Sequence, residues 1–253
     1  MDILIDREIG GPCGVTAAEI RSRLAEAKDG EDVRICVDSP GGDCFEGFAV
    51  YNAIRDFARG RKAGLSVYIQ GMAASAASWV ALAASSVSGC RVSVEDNSVF
   101  MIHNCWGVAV GDRRAMMRSA ELSGRIDGIM AEMLARKSGK EAPEISAMMD
   151  EETWLFGKEI VDAGFADELI EDKERKSGEG GRENSLVLAR KRFADCQSAC
   201  QKSAETGDSG ISSAFAALAD EEALERARKK RLQEEETARA RLASARLLSA
   251  LAR

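Results

Sequence analysis

An α/β fold on a parallel sheet is predicted by two features of residues 1–170. Apolar runs of strand length alternate with segments of helical spacing, and the turns between them carry recognisable start and stop signals. Ile3 to Ile9 reads as the first strand. Thr16-x-x-Glu19 is a capping box that opens a helix through about Ala27. Val33 to Val37 is a short apolar run that stops at the turn residues DSPGGD, and Phe45 to Phe57 then has helical spacing. Leu65 to Gln70 is the third strand, with a helix expected to follow from Gly71. The repeated β-α order is that of a parallel sheet with crossover helices.

Val92 to Val94 and Val99 to Ile102 are two more short strands. Asp112 to Lys137 is expected as one long helix with Met116, Met117, Leu122, Ile126, Met130 and Leu134 along it. Its length and methionines exceed what one small domain needs to cover, which predicts oligomerisation. Residues 150 to 170, which include EETWLFGKEIVDAGFADELI, read as a turn, a helix and a strand. The domain thus spans 1–170. Residues 171–187, EDKERKSGEGGRENSLV, combine charge with glycine and read as a linker. Residues 188–253 form a charged tail in which Asp220 to Arg253, rich in Ala, Leu, Glu and Arg, is expected to be a long solvated helix. Leu224, Leu232, Leu242 and Leu248 keep no clean heptad.

The chain of 253 residues carries a formal charge of −7, unevenly spread. Residues 1–170 hold 18 Lys+Arg against 27 Asp+Glu, whereas the remainder holds 17 against 15. An acidic body argues against nucleic-acid binding. Seven cysteines, with no C-x-x-C pair, suggest neither a zinc site nor a disulfide framework and point to a reducing compartment. The acidic start, MDILIDREIG, has no apolar core of signal-peptide length, so secretion is not expected. Between Lys62 and Arg91 there is no charge at all. Ser75, Ser78, Ser85, Ser86 and Ser88 in that stretch favour close packing inside a protein over contact with lipid.

His103 is the chain's one histidine and stands just after a strand, in SVFMIHNCW. A histidine in that position is more often structural than catalytic. Its company changes the reading. Ser75 begins a small-residue segment at the end of another strand, and strand ends of a parallel sheet lie on one edge. Serine needs a base to take its proton, imidazole needs an acid to hold it, and a glycine-bearing backbone such as Gly41-Gly42 supplies N–H groups for an oxyanion.

Taken together, DSPGGDCFEGFAVYNAI, YIQGMAASAASWVALAA, FMIHN and ETWLFGKEIVDAGFADEL, in that order, resemble the proteolytic subunit of Clp proteases. The likeness is greatest to its viral relatives, the head maturation (prohead) proteases, and covers about residues 2–170. The resemblance implies a Clp protease/crotonase-like fold of repeated β-β-α or β-α units and a serine endopeptidase without cofactor or metal. It implies Ser75 as nucleophile, His103 as general base, and Gly42 and Ala76 as oxyanion donors. The triad acid falls at Glu152, two residues before Trp154, with Asp150 and Glu151 close enough to remain alternatives. Capsid or scaffold proteins would be the substrates, homo-oligomeric rings the assembly, and the host cytoplasm or the procapsid the location, with neither nucleic acid nor membrane as a partner. The chain starts at its first strand, which argues against docking to an ATPase. The tail is expected to tether the enzyme to the assembling shell. A cellular-type Clp proteolytic subunit, a catalytically silent shell or scaffold component and an acyl-CoA enzyme of crotonase type are the rival expectations; retention of Ser75 and His103 counts against the second.

Overall fold

A computed structural model of the protein describes residues 1–60, 64–85, 87, 89–170, 190, 191, 193–195 and 198. The expected linker and the long tail helix lie outside the described residues. Within them the chain runs β1 (Asp2–Ile5), α1 (Ala17–Ala25), β2 (Val33–Ser39), α2 (Cys44–Gly60), β3 (Leu65–Ala74), α3 (Ala76–Val80), β4 (Arg91–Glu95), β5 (Val99–Ile102), α4 (Arg113–Ser138), α5 (Ala142–Asp150), β6 (Thr153–Phe156), α6 (Lys158–Asp162) and β7 (Glu168–Ile170). The order β1-β2-β3-β4-β7 is parallel throughout. This is the α/β architecture with a parallel sheet that the alternation of elements predicts.

The ten-residue strand β3 organises the rest. On one edge it pairs with β2. On the other, its first part, Ser66 to Ile69, pairs with β4, and its last part, Met72 to Ala74, pairs with β5. β6 then adds antiparallel to β5. Side chains on one face, among them Ala73, Phe100 and Leu155, belong to or pack against the main core, which fills with Ile, Val and Leu from β1 to β4 and from the covering helices. Near-continuous burial of Ile35, Cys36 and Val37 on β2 is what a strand covered on both faces requires.

Four expectations need correction. The first strand, expected over Ile3 to Ile9, ends at Ile5, and Ile9 forms only isolated bridges to Val15 and Gly42. The strand expected to end at Gln70 continues to Ala74, because the Asp38 carboxylate accepts the Met72 N–H at 3.0 Å and holds the chain extended. The helix expected from Gly71 therefore starts only at Ala76 and ends at Val80. In the 150–170 region, β6 precedes the helix, and α5, with Pro143 in its first turn, was not anticipated from the pattern. The long helix lies where expected, with the Asp112 carboxylate capping Ala115 N–H at 2.8 Å and Gly139 ending it in the left-handed region. It buries Ile126, Met130, Ala131, Met133 and Leu134, all in its C-terminal half. No helix among the described residues is long and apolar enough to cross a membrane.

Short as it is, α3 is firmly held. All five of its residues are buried, and Trp79 packs on Phe48 of α2 with ring centroids 5.0 Å apart. A Cβ on Gly47 would stand 2.4 Å from the Trp79 ring, so only glycine lets α2 approach this closely. Trp79 thus anchors α3 on α2.

Candidate active site

Three strand ends meet at one point. Ala74 ends β3 beside Met101 of β5, and Ile102 ends β5 opposite Thr153, the first residue of β6. Ser75, His103 and Glu152 are each the next residue beyond those ends. Register alone therefore gathers them, although they come from distant parts of the chain. The Ser75 N–H donates to the Met101 carbonyl at 2.9 Å, continuing the ladder one step further. Ser75 Oγ and His103 Nε2 lie 2.8 Å apart.

The backbone at this point is unusual. Ser75 has φ 53 and ψ −126, and among the described residues the only other non-glycine residue with positive φ is Glu152, at 50. Such conformations cost about 1–3 kcal/mol each and persist only where the surroundings fix them. Here the fixed surroundings are the Met101 carbonyl, the buried α3 and the Ser78 hydroxyl, which donates to the Ser75 carbonyl at 2.6 Å. Ser75 also occupies the N-cap of α3 without capping it. Its hydroxyl is left to face the imidazole.

The Gly41-Gly42 segment lies against the start of this helix. A Cβ on Gly41 would stand 2.5 Å from the Ala74 carbonyl oxygen and 2.7 Å from the Ala76 nitrogen, so no larger residue fits. Ile9 N–H donates to the Gly41 carbonyl and Asp43 N–H to the Ile9 carbonyl, both at 2.8 Å. Because the C=O and N–H of one trans peptide point in opposite directions, the Gly42 N–H points away from the Gly41 carbonyl and its bridge to Ile9. The Ala76 N–H opens a helix, where intrahelical acceptors are lacking. Gly42 and Ala76, the two donors expected from sequence, thus carry N–H groups that neither the Ile9 bridge nor the helix uses, and the neighbouring Gly41 abuts Ser75 and Ala76.

Burial pushes the His103 imidazole below its ordinary value, and the charge of Glu152 draws it partly back. A depressed value leaves the ring neutral, and so able to accept a proton, at neutral pH. Of the three neighbouring carboxylates, Asp150 accepts from the Asn104 amide at 2.7 Å, Glu151 is exposed, and Glu152 accepts from the Trp154 indole N–H at 3.1 Å. None of them is hydrogen-bonded to the imidazole among the described residues. Glu152 acts on the ring as a nearby charge. The segment leaving His103 is tied to α4 by the Cys105 N–H, which donates to Asp127 at 2.6 Å. Cys44 and Cys105 are free thiols, and the interaction with Cys105 together with burial pushes Cys44 far up. No group of three or more His, Cys, Asp or Glu able to hold a metal occurs among the described residues.

Two participants escaped the sequence reading. In the sequence pattern Trp154 only marks the place of the acid, yet its indole N–H donates to the Glu152 carboxylate. Phe193, in the tail, packs against the His103 ring. Nothing in its charged neighbourhood, ARKRFAD, signals such a contact.

Residues 15–173 match the Clp protease family. The ATP-dependent Clp protease proteolytic subunit of Ligilactobacillus salivarius is 29% identical over 151 residues, 59% of this chain and 73% of that protein. The solved structure of a ClpP1 mutant from Listeria monocytogenes superposes with a TM-score of 0.55 at 24% identity, covering 68% of this chain and 92% of that one, which bears on the fold. The chain belongs to the Clp protease family. Its coarse function is that of a Clp-protease-like proteolytic subunit, with the serine peptidase activity the family implies.

Proposed function

We propose that this chain is a serine endopeptidase that cleaves capsid or scaffold proteins during viral head maturation, with Ser75 as nucleophile, His103 as general base and Glu152 as the acid that steadies the imidazolium. The 2.8 Å contact between Ser75 Oγ and His103 Nε2 carries the catalytic part of this reading. In the reaction, Ser75 Oγ attacks the scissile carbonyl carbon while its proton passes to His103 Nε2. The developing oxyanion is met by the Gly42 and Ala76 N–H groups, in a site where burial of α3 keeps water away. The imidazolium then gives its proton to the departing amine, leaving Ser75 acylated. Water, deprotonated by the same imidazole, attacks the ester and frees the enzyme. Glu152 favours the charged ring at both steps through its field.

Assembly into homo-oligomers belongs to the same proposal. Among the described residues, six of the eight exposed large apolar side chains, Trp106, Val108, Val110, Met116, Met117 and Ile129, lie on α4 or on the segment leading into it. A face of this kind is suited to burial between copies.

The choice of a viral shell substrate rests on the motif resemblance and on the appended tail, proposed as a tether. A cellular-type proteolytic subunit is the second reading, favoured by the Ligilactobacillus relative. Co-expression with candidate shell and scaffold proteins, followed by mass spectrometry, separates them. Discrete cleavage of a shell protein, lost in Ser75→Ala, supports the viral reading. Cleavage of unfolded substrates only in the presence of an ATPase supports the cellular one.

A further inference from the structure

Among the described residues beyond position 170, only Phe193 is buried, at 6% exposure, while Arg190, Lys191, Ala194, Asp195 and Ser198 are exposed. Phe193 does not join the main core. It packs with Met72, Ala74, Val99 and Met101, bordered by Trp154 and Phe156. Strand register shows what this patch is. Met72 pairs with Val99, Ala74 with Met101, Met101 with Trp154 and Val99 with Phe156, so the patch is one face of the β3-β5-β6 strand ends. That face leads directly into Ser75 and His103.

The Phe193 ring meets the His103 ring edge-on, with centroids 5.1 Å apart and planes at 84°, and meets Trp154 at 6.1 Å and 80°. Three residues earlier, the Arg190 guanidinium lies 5.8 Å from the centre of the Trp154 ring. Trp154 is thus engaged on its ring by the tail and through its N–H by Glu152. A side chain resting on the catalytic pair fills space that a bound polypeptide would need.

We propose that the segment around Phe193 is an intramolecular blocking element: Phe193 fills the apolar subsite beside Ser75 and His103, Arg190 holds it there through Trp154, and substrate has to displace both. The kinetic consequence rests on the serine-peptidase reading, whereas the docking itself does not. With the segment docked, only the undocked fraction of the enzyme binds substrate, so apparent affinity falls by that fraction while turnover of bound substrate is unaffected. Removing the aromatic anchor forfeits enough buried apolar surface to change the docking equilibrium about tenfold.

The test uses the full chain and its Phe193→Ala, Phe193→Leu and Arg190→Ala variants. Steady-state cleavage of a fluorogenic peptide, the rate of Ser75 modification by a fluorophosphonate, and the nuclear magnetic resonance signal of the single histidine are measured on each, with melting temperature as a check on folding. Phe193→Ala is expected to lower KM about tenfold with kcat unchanged, to speed modification by a similar factor, and to displace the His103 resonance through loss of the ring contact. Phe193→Leu falls between, and Arg190→Ala gives a smaller change in the same direction. Unchanged KM and modification rate overturn the proposal, as does a loss of activity in Phe193→Ala. If no form cleaves peptide or is modified, the peptidase reading fails; the resonance then decides the docking alone, upholding it if displaced and overturning it if not.

Discussion

Two helices of this protein start at a hydroxyl residue, and they use it in opposite ways. At α1, Thr16 has extended backbone, φ −115 and ψ 156, and its Oγ1 accepts the Glu19 N–H at 3.2 Å. At α3, Ser75 stands in the same N-cap position with φ 53, makes no capping bond, and offers its hydroxyl to His103 at 2.8 Å. The first arrangement stabilises the fold by about 1 kcal/mol. The second costs backbone strain and an unmade cap, and the cost is met by the packing of Trp79 and the ladder bond to Met101. A local rule broken where the surroundings are built to sustain the break supports the proposed role of Ser75 in chemistry.

The largest effect in this comparison is expected at Ser75. Ser75→Ala should lower kcat about a millionfold, as loss of a serine nucleophile does elsewhere, with little change in melting temperature. Ser75→Gly should be equally inactive and more stable by about 1 kcal/mol, because glycine accepts positive φ freely. Urea denaturation of both variants checks this, and destabilisation by Ser75→Gly would show that the backbone there is not strained.

Next comes the acid. Glu152→Gln is expected to lower kcat by roughly a hundredfold or more and by more than Asp150→Asn, since Asp150 is engaged by Asn104. If Asp150→Asn is the worse lesion, the carboxylate assignment belongs two residues earlier.

Gly47→Ala tests the anchoring of α3. Its Cβ would meet the Trp79 ring at 2.4 Å, so a loss of about 2 kcal/mol of stability is expected, together with reduced activity as Ser75 shifts. Unchanged stability would mean that Trp79 does not hold α3 in place.

Thr16→Ala should have the smallest effect, a loss of about 1 kcal/mol with kcat/KM intact. That outcome completes the contrast with Ser75: stability without activity at one helix start, activity without stability at the other.

How much of this was legible beforehand follows from the same physics. Helices α1, α2 and α4 and strands β2, β4 and β5 were readable because caps and apolar spacing are local signals. Ser75 and His103 were singled out because the four ordered motifs carry them and strand ends share an edge. The extension of β3 through Ala74 was missed because small residues have no period, and Gly-Met-Ala-Ala-Ser fits strand and helix alike. The β5-β6 pairing was missed because it joins segments far apart in the chain, and with it the reason Glu152 arrives beside His103. Phe193 was missed because one aromatic residue in a charged segment leaves no pattern.

The most direct test of the account is fluorophosphonate modification of Ser75 followed across pH in the full chain and in His103→Ala, with the adduct mapped by mass spectrometry. Because burial lowers the His103 pKa, the neutral base persists below the ordinary histidine value, and activity is lost only as pH falls through that depressed value. The account predicts one adduct, on Ser75, whose rate rises through a midpoint below 6.5, the unperturbed value, and collapses in His103→Ala. An adduct elsewhere, or undiminished modification without His103, would contradict it.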